Sequence, residues 1–218
     1  MSTLEQSFTR LREGAWVASP GIAATNDATC KFQSLADGSG GYVHDEYSIM
    51  VSGMPPGLTP GGFMLEFANN PNATVKNGYF TALTVLTKRT STPPKIGDIY
   101  DIDIIGPDNG SIVLVALAPD FGKSGDSWFD IQTVSCEKYG SHPENGAREF
   151  GCESTAEGIR FYTRGISRPG NALVRFVGAA PQALGWTAMM KGISESIKKR
   201  GGTPVDNSFR VIKYTKAA

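Results

Sequence analysis

Two histidines, His44 and His142, are the only imidazoles in this 218-residue chain, so a Ser-His-Asp or Cys-His relay has two possible bases. His142 precedes Pro143 in a stretch with hairpin chemistry, where its ring is expected to bond the turn backbone. His44 lies beside Asp45 and Glu46 at the start of an alternating segment and reads as a solvated edge. No His-x-x-x-His or carboxylate cluster has metal-ligand spacing, and no cofactor is expected. Asp101 and Asp103 share one face of segment 98–105 with Ile99, while Tyr100, Ile102 and Ile104 line the other. On a wet face the two are solvated carboxylates; on a buried face one would have a raised pKa suited to proton transfer. Arg160, Tyr162 and Arg164 share a face opposite Ile159, Phe161 and Thr163. That stripe either holds an anionic or phenolic ligand by charge-assisted bonds or forms a wet outer face. Asp101, Asp103 and Tyr162 are therefore the catalytic candidates, and Arg160 and Arg164 the candidate anion ligands. Arg168, within Ser167-Arg168-Pro169, is placed to clamp a cavity mouth or to tie its loop to Glu153 or Glu149.

The elements that must position these groups follow from periodicity. Leu4, Phe8 and Leu11 are spaced for a short helix over 2–13, followed by a Gly- and Ser-rich arm over 15–41 with a short strand at 28–33. Residues 43–52 alternate as a strand. Thr59 is a plausible N-cap and Pro60 a first helical residue, with Asn69-Asn70-Pro71 ending the helix and Phe63 and Phe67 on the face that docks on a sheet. Residues 79–87 fit a strand or a helix equally. Strands follow at 98–105, 111–118, 127–138, 147–154 and 158–167, joined by Gly-, Asn- and Asp-rich turns, as in an antiparallel meander. Pro181 is placed to open a helix to about Arg200 with Trp186, Met190, Ile193 and Ile197 on one face, and 208–214 is a weak strand. The glycine runs at 37–41 and 57–62 lack the remainder of a phosphate-binding motif and read as turns.

Composition narrows the function classes. Twenty-one basic and 21 acidic residues balance, and without a basic block the chain does not read as a nucleic-acid binder. No apolar run approaches the roughly 18–20 residues of a membrane span. Three cysteines without CxxC spacing fit neither a disulfide scaffold nor a zinc site. The polar start shows no secretory signal, so a cytoplasmic location is expected. Hydrophobic residues at 40%, with 26 glycines and 13 prolines, point to a folded, turn-rich and hence strand-rich chain.

A curved antiparallel sheet of about six or seven strands has an apolar face that one long amphipathic helix can bury, leaving a ligand cavity if the sheet curls strongly. The segment EYSIMVSGMPPGLTPGGFMLEFANNP resembles the opening of the START and polyketide-cyclase (SRPBCC, helix-grip) superfamily. The segment from Tyr139 to Ala180, with a Gly-Ser-His-Pro-Glu-Asn-Gly hairpin and Ser-Arg-Pro before the last helix, is similar to an uncharacterised bacterial and plant family within it. The resemblance implies an α+β helix-grip core over 43–200 in a single domain of 1–218, with an N-terminal helix and arm over 1–42 and a tail over 203–218. It implies a cavity for a small hydrophobic or amphipathic molecule and carries over no catalytic residues. In this architecture Phe63, Phe67, Tyr100, Trp186, Met189, Met190 and Ile193 are the expected ligand wall. Three functions are compatible: a cyclase, dehydratase or isomerase acting on a polyketide-like or aromatic metabolite, a non-catalytic lipid or metabolite carrier or sensor, and a packed β-rich interaction module. In the last, the 15–41 arm would pair two copies into a homodimer.

Overall fold

A computed structural model of the chain describes residues 3–13, 27–75, 84–104, 109–123, 125–170 and 179–217. Parts of the expected elements lie outside them, namely residues 15–26 of the arm, 79–83, the Pro107-Asp108 turn and 171–178 of the Tyr139 to Ala180 segment. In chain order the elements are α1 (Thr3–Glu13), β1 (Lys31–Phe32), β2 (Tyr42–Gly53), α2 (Pro60–Asn69), α3 (Pro71–Thr74) and β3 (Thr84–Lys88). The meander follows as β4 (Ile99–Ile104), β5 (Gly110–Leu117), β6 (Ser127–Ser135), β7 (Glu144–Thr155) and β8 (Gly158–Pro169). The chain closes with α4 (Ala179–Lys199), β9 (Thr203–Pro204) and β10 (Arg210–Lys216). Segment 79–87, open to two readings from its periodicity, is strand where it is described.

The local signals act as their chemistry dictates. Thr59 caps α2 by accepting from the Gly62 N–H at 3.0 Å, and Pro60 occupies the first turn. Asn70 ends α2 and its side chain caps α3 through the Ala73 N–H. Helix α4 begins two residues before Pro181, which sits in its first turn, where a missing N–H breaks no helical bond.

The ten strands of the described residues join one antiparallel sheet in the order β10-β2-β8-β7-β6-β5-β4-β3, with β1 added to β6 and β9 to β2. Alternation divides the side chains between two cores. On the inner face Tyr47, Ile49, Val51, Tyr100, Ile112, Leu114, Phe129, Ile131, Phe150 and Phe161 pack against Phe63, Met64 and Phe67 of α2 and against Met189, Met190, Ile193 and Ile197 of α4. On the outer face Leu11 of α1 joins Cys30, Ile99, Val113, Val134, Cys136, Ala147 and Ile166 in a second buried cluster. A helix and the described part of the arm thus cover this second face.

That second layer overturns two expectations. His44 is buried, stacked on Tyr214 of β10 at 4.7 Å and met edge-on by Phe8 of α1, because α1 covers what looked like a wet strand edge. Cys30 and Cys136 form a disulfide that fastens the arm to the end of β6. The odd cysteine count hid this, since the third thiol, Cys152, is an inner-face core residue whose pKa burial pushes up to about 12.

One glycine is fixed by close approach. A Cβ on Gly61, in the first turn of α2, would overlap the Lys123 carbonyl of the turn below it. Gly61→Ala is therefore expected to lose about 1–3 kcal/mol by chemical denaturation, as overpacking does, whereas Gly185→Ala in α4, where a Cβ meets no atom and the backbone is helical, loses nothing. Equal losses would show that α2 is not seated on that turn.

Candidate ligand-binding site

The inner face is aromatic, with a buried Lys88–Asp98 ion pair at the β3–β4 end and a charged patch beside Trp186. Phe129 stacks on Phe150 at 5.1 Å, Phe67 tilts against both, Phe63 meets Phe161 edge-on, and Trp186 of α4 meets Phe150 edge-on at 5.9 Å. Beside Trp186 lies Arg148 of β7. It stands in the same alternation phase as Phe150 and Cys152 and so points inward. Its guanidinium lies 4.1 Å from the Trp186 ring centroid, pairs with Asp45 of β2 at 2.5 Å and donates to Thr163 of β8 at 3.2 Å.

Gly165 makes this reach possible. It stands between Arg148 and Asp45 in the strand register, and a Cβ there would collide with the guanidinium. Tyr47, two residues from Asp45 on the same face, has its phenol pKa raised by burial and by the neighbouring carboxylate, and stays a donor. The indole Nε1–H of Trp186 is buried without an acceptor among the described residues. This end of the inner face therefore carries the Arg148–Asp45 ion pair, two hydroxyls and an unmet donor.

The residues expected to face a ligand are brought together in the inner core. Phe63, Phe67, Tyr100, Trp186, Met189, Met190 and Ile193 all belong to or pack on the inner cluster. Tyr100 has a second duty there, as its hydroxyl donates to the Ala68 carbonyl at 2.7 Å and fastens β4 to α2. The other six candidates lie on the opposite face. Asp101 is held by Arg89, Lys138 and Ser111, which keep its pKa low against the upward push of burial. Asp103 accepts from the Tyr139 hydroxyl. Arg168 donates to the Gly40 and Leu35 carbonyls, so it ties β8 to the arm and not to Glu153 or Glu149. His142 bonds the turn backbone at Glu144 through Nδ1, as its position beside Pro143 implied.

Arg160, Tyr162 and Arg164 form neither a wet face nor an open ligand stripe. Arg164 is 0% exposed, with its guanidinium 3.6 Å from the Tyr162 ring centroid. Its nitrogens stand 3.4 Å from Glu46 and Glu149 and 3.6 Å from Glu153. Arg160 bridges Glu46 and Glu153 at 2.6 Å each. The Tyr162 hydroxyl donates to Glu149 at 2.8 Å, and burial raises its pKa. Helix α1 closes the group from above: Arg10 pairs with Asp130 and Glu149 and lies over Trp128. The sequence reading had both arginines and the tyrosine on one face but no sign of the helix over them.

No protein-family model matches the chain, and no curated protein matches it. Solved structures do. A hypothetical protein from Helicobacter pylori superposes with a TM-score of 0.50 at 12% identity, over 70% of this chain and 86% of that one. The chain has the helix-grip fold. Norcoclaurine synthase from Thalictrum flavum, in complex with dopamine and hydroxybenzaldehyde, gives 0.45 at 11% identity over 74% and 91% of the two chains. The di-domain ARO/CYC StfQ from the steffimycin biosynthetic pathway gives 0.46 at 14% identity, over 76% of this chain and 53% of that one. At such identities the likeness is one of fold.

Proposed function

We propose that the protein binds a small hydrophobic or amphipathic molecule against the inner face. Its aromatic body would lie along the phenylalanine wall, and an acceptor oxygen, such as a carboxylate or carbonyl, would meet Arg148 and the Trp186 indole N–H. The observation that carries this reading is the inward-facing Arg148 beside an indole donor that lacks an acceptor. A carrier or sensor is the preferred form of it. Asp101, Asp103 and Tyr162 are engaged in polar contacts on the outer face, away from the wall that would hold the guest. A cyclase, dehydratase or isomerase would have to run on Tyr47 and Asp45 instead, and would be recognised by turnover lost in Tyr47→Phe. The Cys30–Cys136 bond favours an oxidising compartment over the cytoplasm expected from the sequence.

Displacement of the fluorescent aromatic anion 1-anilinonaphthalene-8-sulfonate tests the site. Cinnamate is expected to compete at least about tenfold better than cinnamyl alcohol, because a charge-assisted hydrogen bond contributes about 1.5–3 kcal/mol. The Asp45→Asn/Arg148→Met double variant, which leaves no unpaired inner-face carboxylate, should erase that preference. Trp186→Phe should reduce it. A preference unchanged in both variants would move the ligand elsewhere.

A further inference from the structure

The sheet has two ends, and they are treated differently. At one end β3 presents its outer edge to Asn72 of α3, whose side-chain amide accepts from the Leu86 N–H and donates to the Leu86 carbonyl, both at 3.2 Å. That amide imitates a paired strand residue and blocks further pairing there. At the other end β10 pairs with β2 along all seven of its residues, and among the described residues no strand or side chain covers its second edge. All seven are exposed, including Val211 at 48%, Ile212 at 39% and Tyr214 at 37%. An open edge is a template for an added strand, and proteins ordinarily blunt it.

Charge selects the occupant. Arg210, Lys213 and Lys216 are the charged residues of β10, no acidic residue occurs from 207 to 218, and among the described residues none of the three cations is in an ion pair. The carboxylates beside them in the register, Asp45 and Glu46, are already taken by Arg148, Arg160 and Arg164. A second copy fits badly. Two-fold pairing centred on Lys213 sets it against itself and Arg210 against Lys216, and any other two-fold register still gathers six cations at one seam. We infer that β10 is a docking edge for an extended acidic segment of another protein. Read antiparallel to β10, that segment has acidic residues opposite Lys216, Lys213 and Arg210 and apolar ones opposite Tyr214, Ile212 and Val211.

The probe is the peptide acetyl-Glu-Thr-Val-Glu-Val-Ile-Glu-amide, titrated into the full chain labelled with nitrogen-15. Amide shifts should appear in 210–216 and the adjoining part of β2. The same peptide with lysine in place of each glutamate should bind at least about tenfold more weakly. Arg210→Glu/Lys213→Glu, both at exposed positions, should invert that order. The inference fails if 210–216 do not respond or if the lysine peptide binds as well. It fails equally if the free chain sediments as a dimer that Ile212→Pro dissociates, because a second copy is then the occupant. Response to phosphatidylglycerol vesicles but not to the peptide would assign the edge to a lipid surface instead.

Discussion

Arg164→Met is expected to remove about 3–5 kcal/mol of stability, the effect of taking one partner from a buried ion group and leaving the others uncompensated. The guanidinium has no access to water, lies on the Tyr162 ring and is, among the described residues, the one cation within reach of Glu46, Glu149 and Glu153 together. Tyr162→Phe takes from Glu149 a single hydrogen bond and should lose less, about 1.5–3 kcal/mol. Asp130→Asn should act in the other direction. Four carboxylates (Glu46, Asp130, Glu149, Glu153) face three guanidiniums (Arg10, Arg160, Arg164), and burial pushes the Asp130 carboxyl up to about 6 despite Arg10. A pKa raised in the fold means that the native state binds the proton more tightly than the unfolded chain. Its contribution to stability is complete below about pH 4 and is lost as pH rises through 6. The asparagine variant escapes that loss, so it should gain on the parent at pH 7 and draw level with it near pH 4. Guanidinium denaturation of the four proteins at both pH values decides the matter. An Arg164→Met loss below about 1 kcal/mol would mean that water reaches the cluster and α1 does not seal it.

The second large effect belongs to the Cys30–Cys136 bond. Its ends are 106 residues apart, and in the chain-entropy account closing a loop of about 100 residues stabilises by roughly 4.7 kcal/mol, against a usual range of 2–5 for native bonds. Cys30→Ser/Cys136→Ser should therefore lower the denaturation free energy by about 4 kcal/mol, and the parent treated with reductant should match the variant. Cys152 does not compete for exchange, being buried on the inner face with little thiolate. Three titratable thiols in the unfolded, unreduced protein, or a parent indifferent to reductant, would contradict the bond.

Much of the sheet was legible because alternation, turn residues and an N-cap act within a few residues of one another. Strands β2 and β4 to β8 lie where their patterns put them, and Thr59 and Asn70 cap as their types require. Face assignment is another matter, since it depends on what arrives from far away in the chain. Arg160, Tyr162 and Arg164 share a face in any strand, but only α1, some 150 residues earlier, turns that face into an interior. The inner-face cation was missed for a related reason. Arg148 is out of place only when compared with Phe150 and Cys152, and next to Glu149 it passes for half of a surface charge pair. An arginine in the apolar phase of its strand was the available signal. The pairing of Cys30 with Cys136 had none, because nothing local distinguishes either thiol from that of Cys152.

The central strands β7 and β8, covered on both sides, have a further consequence for how the chain finds its frame. Thr163 and Arg164, or Arg148 and Glu149, are consecutive residues assigned to opposite compartments. A slip of one position in β7 or β8 would thrust Glu149 or Arg164 among the phenylalanines and present Phe150 or Phe161 to the charges. An ordinary half-wet sheet forgives such an error on its solvent side. This one rejects it twice, so the two dissimilar interiors together act as a proofreading device for strand alignment.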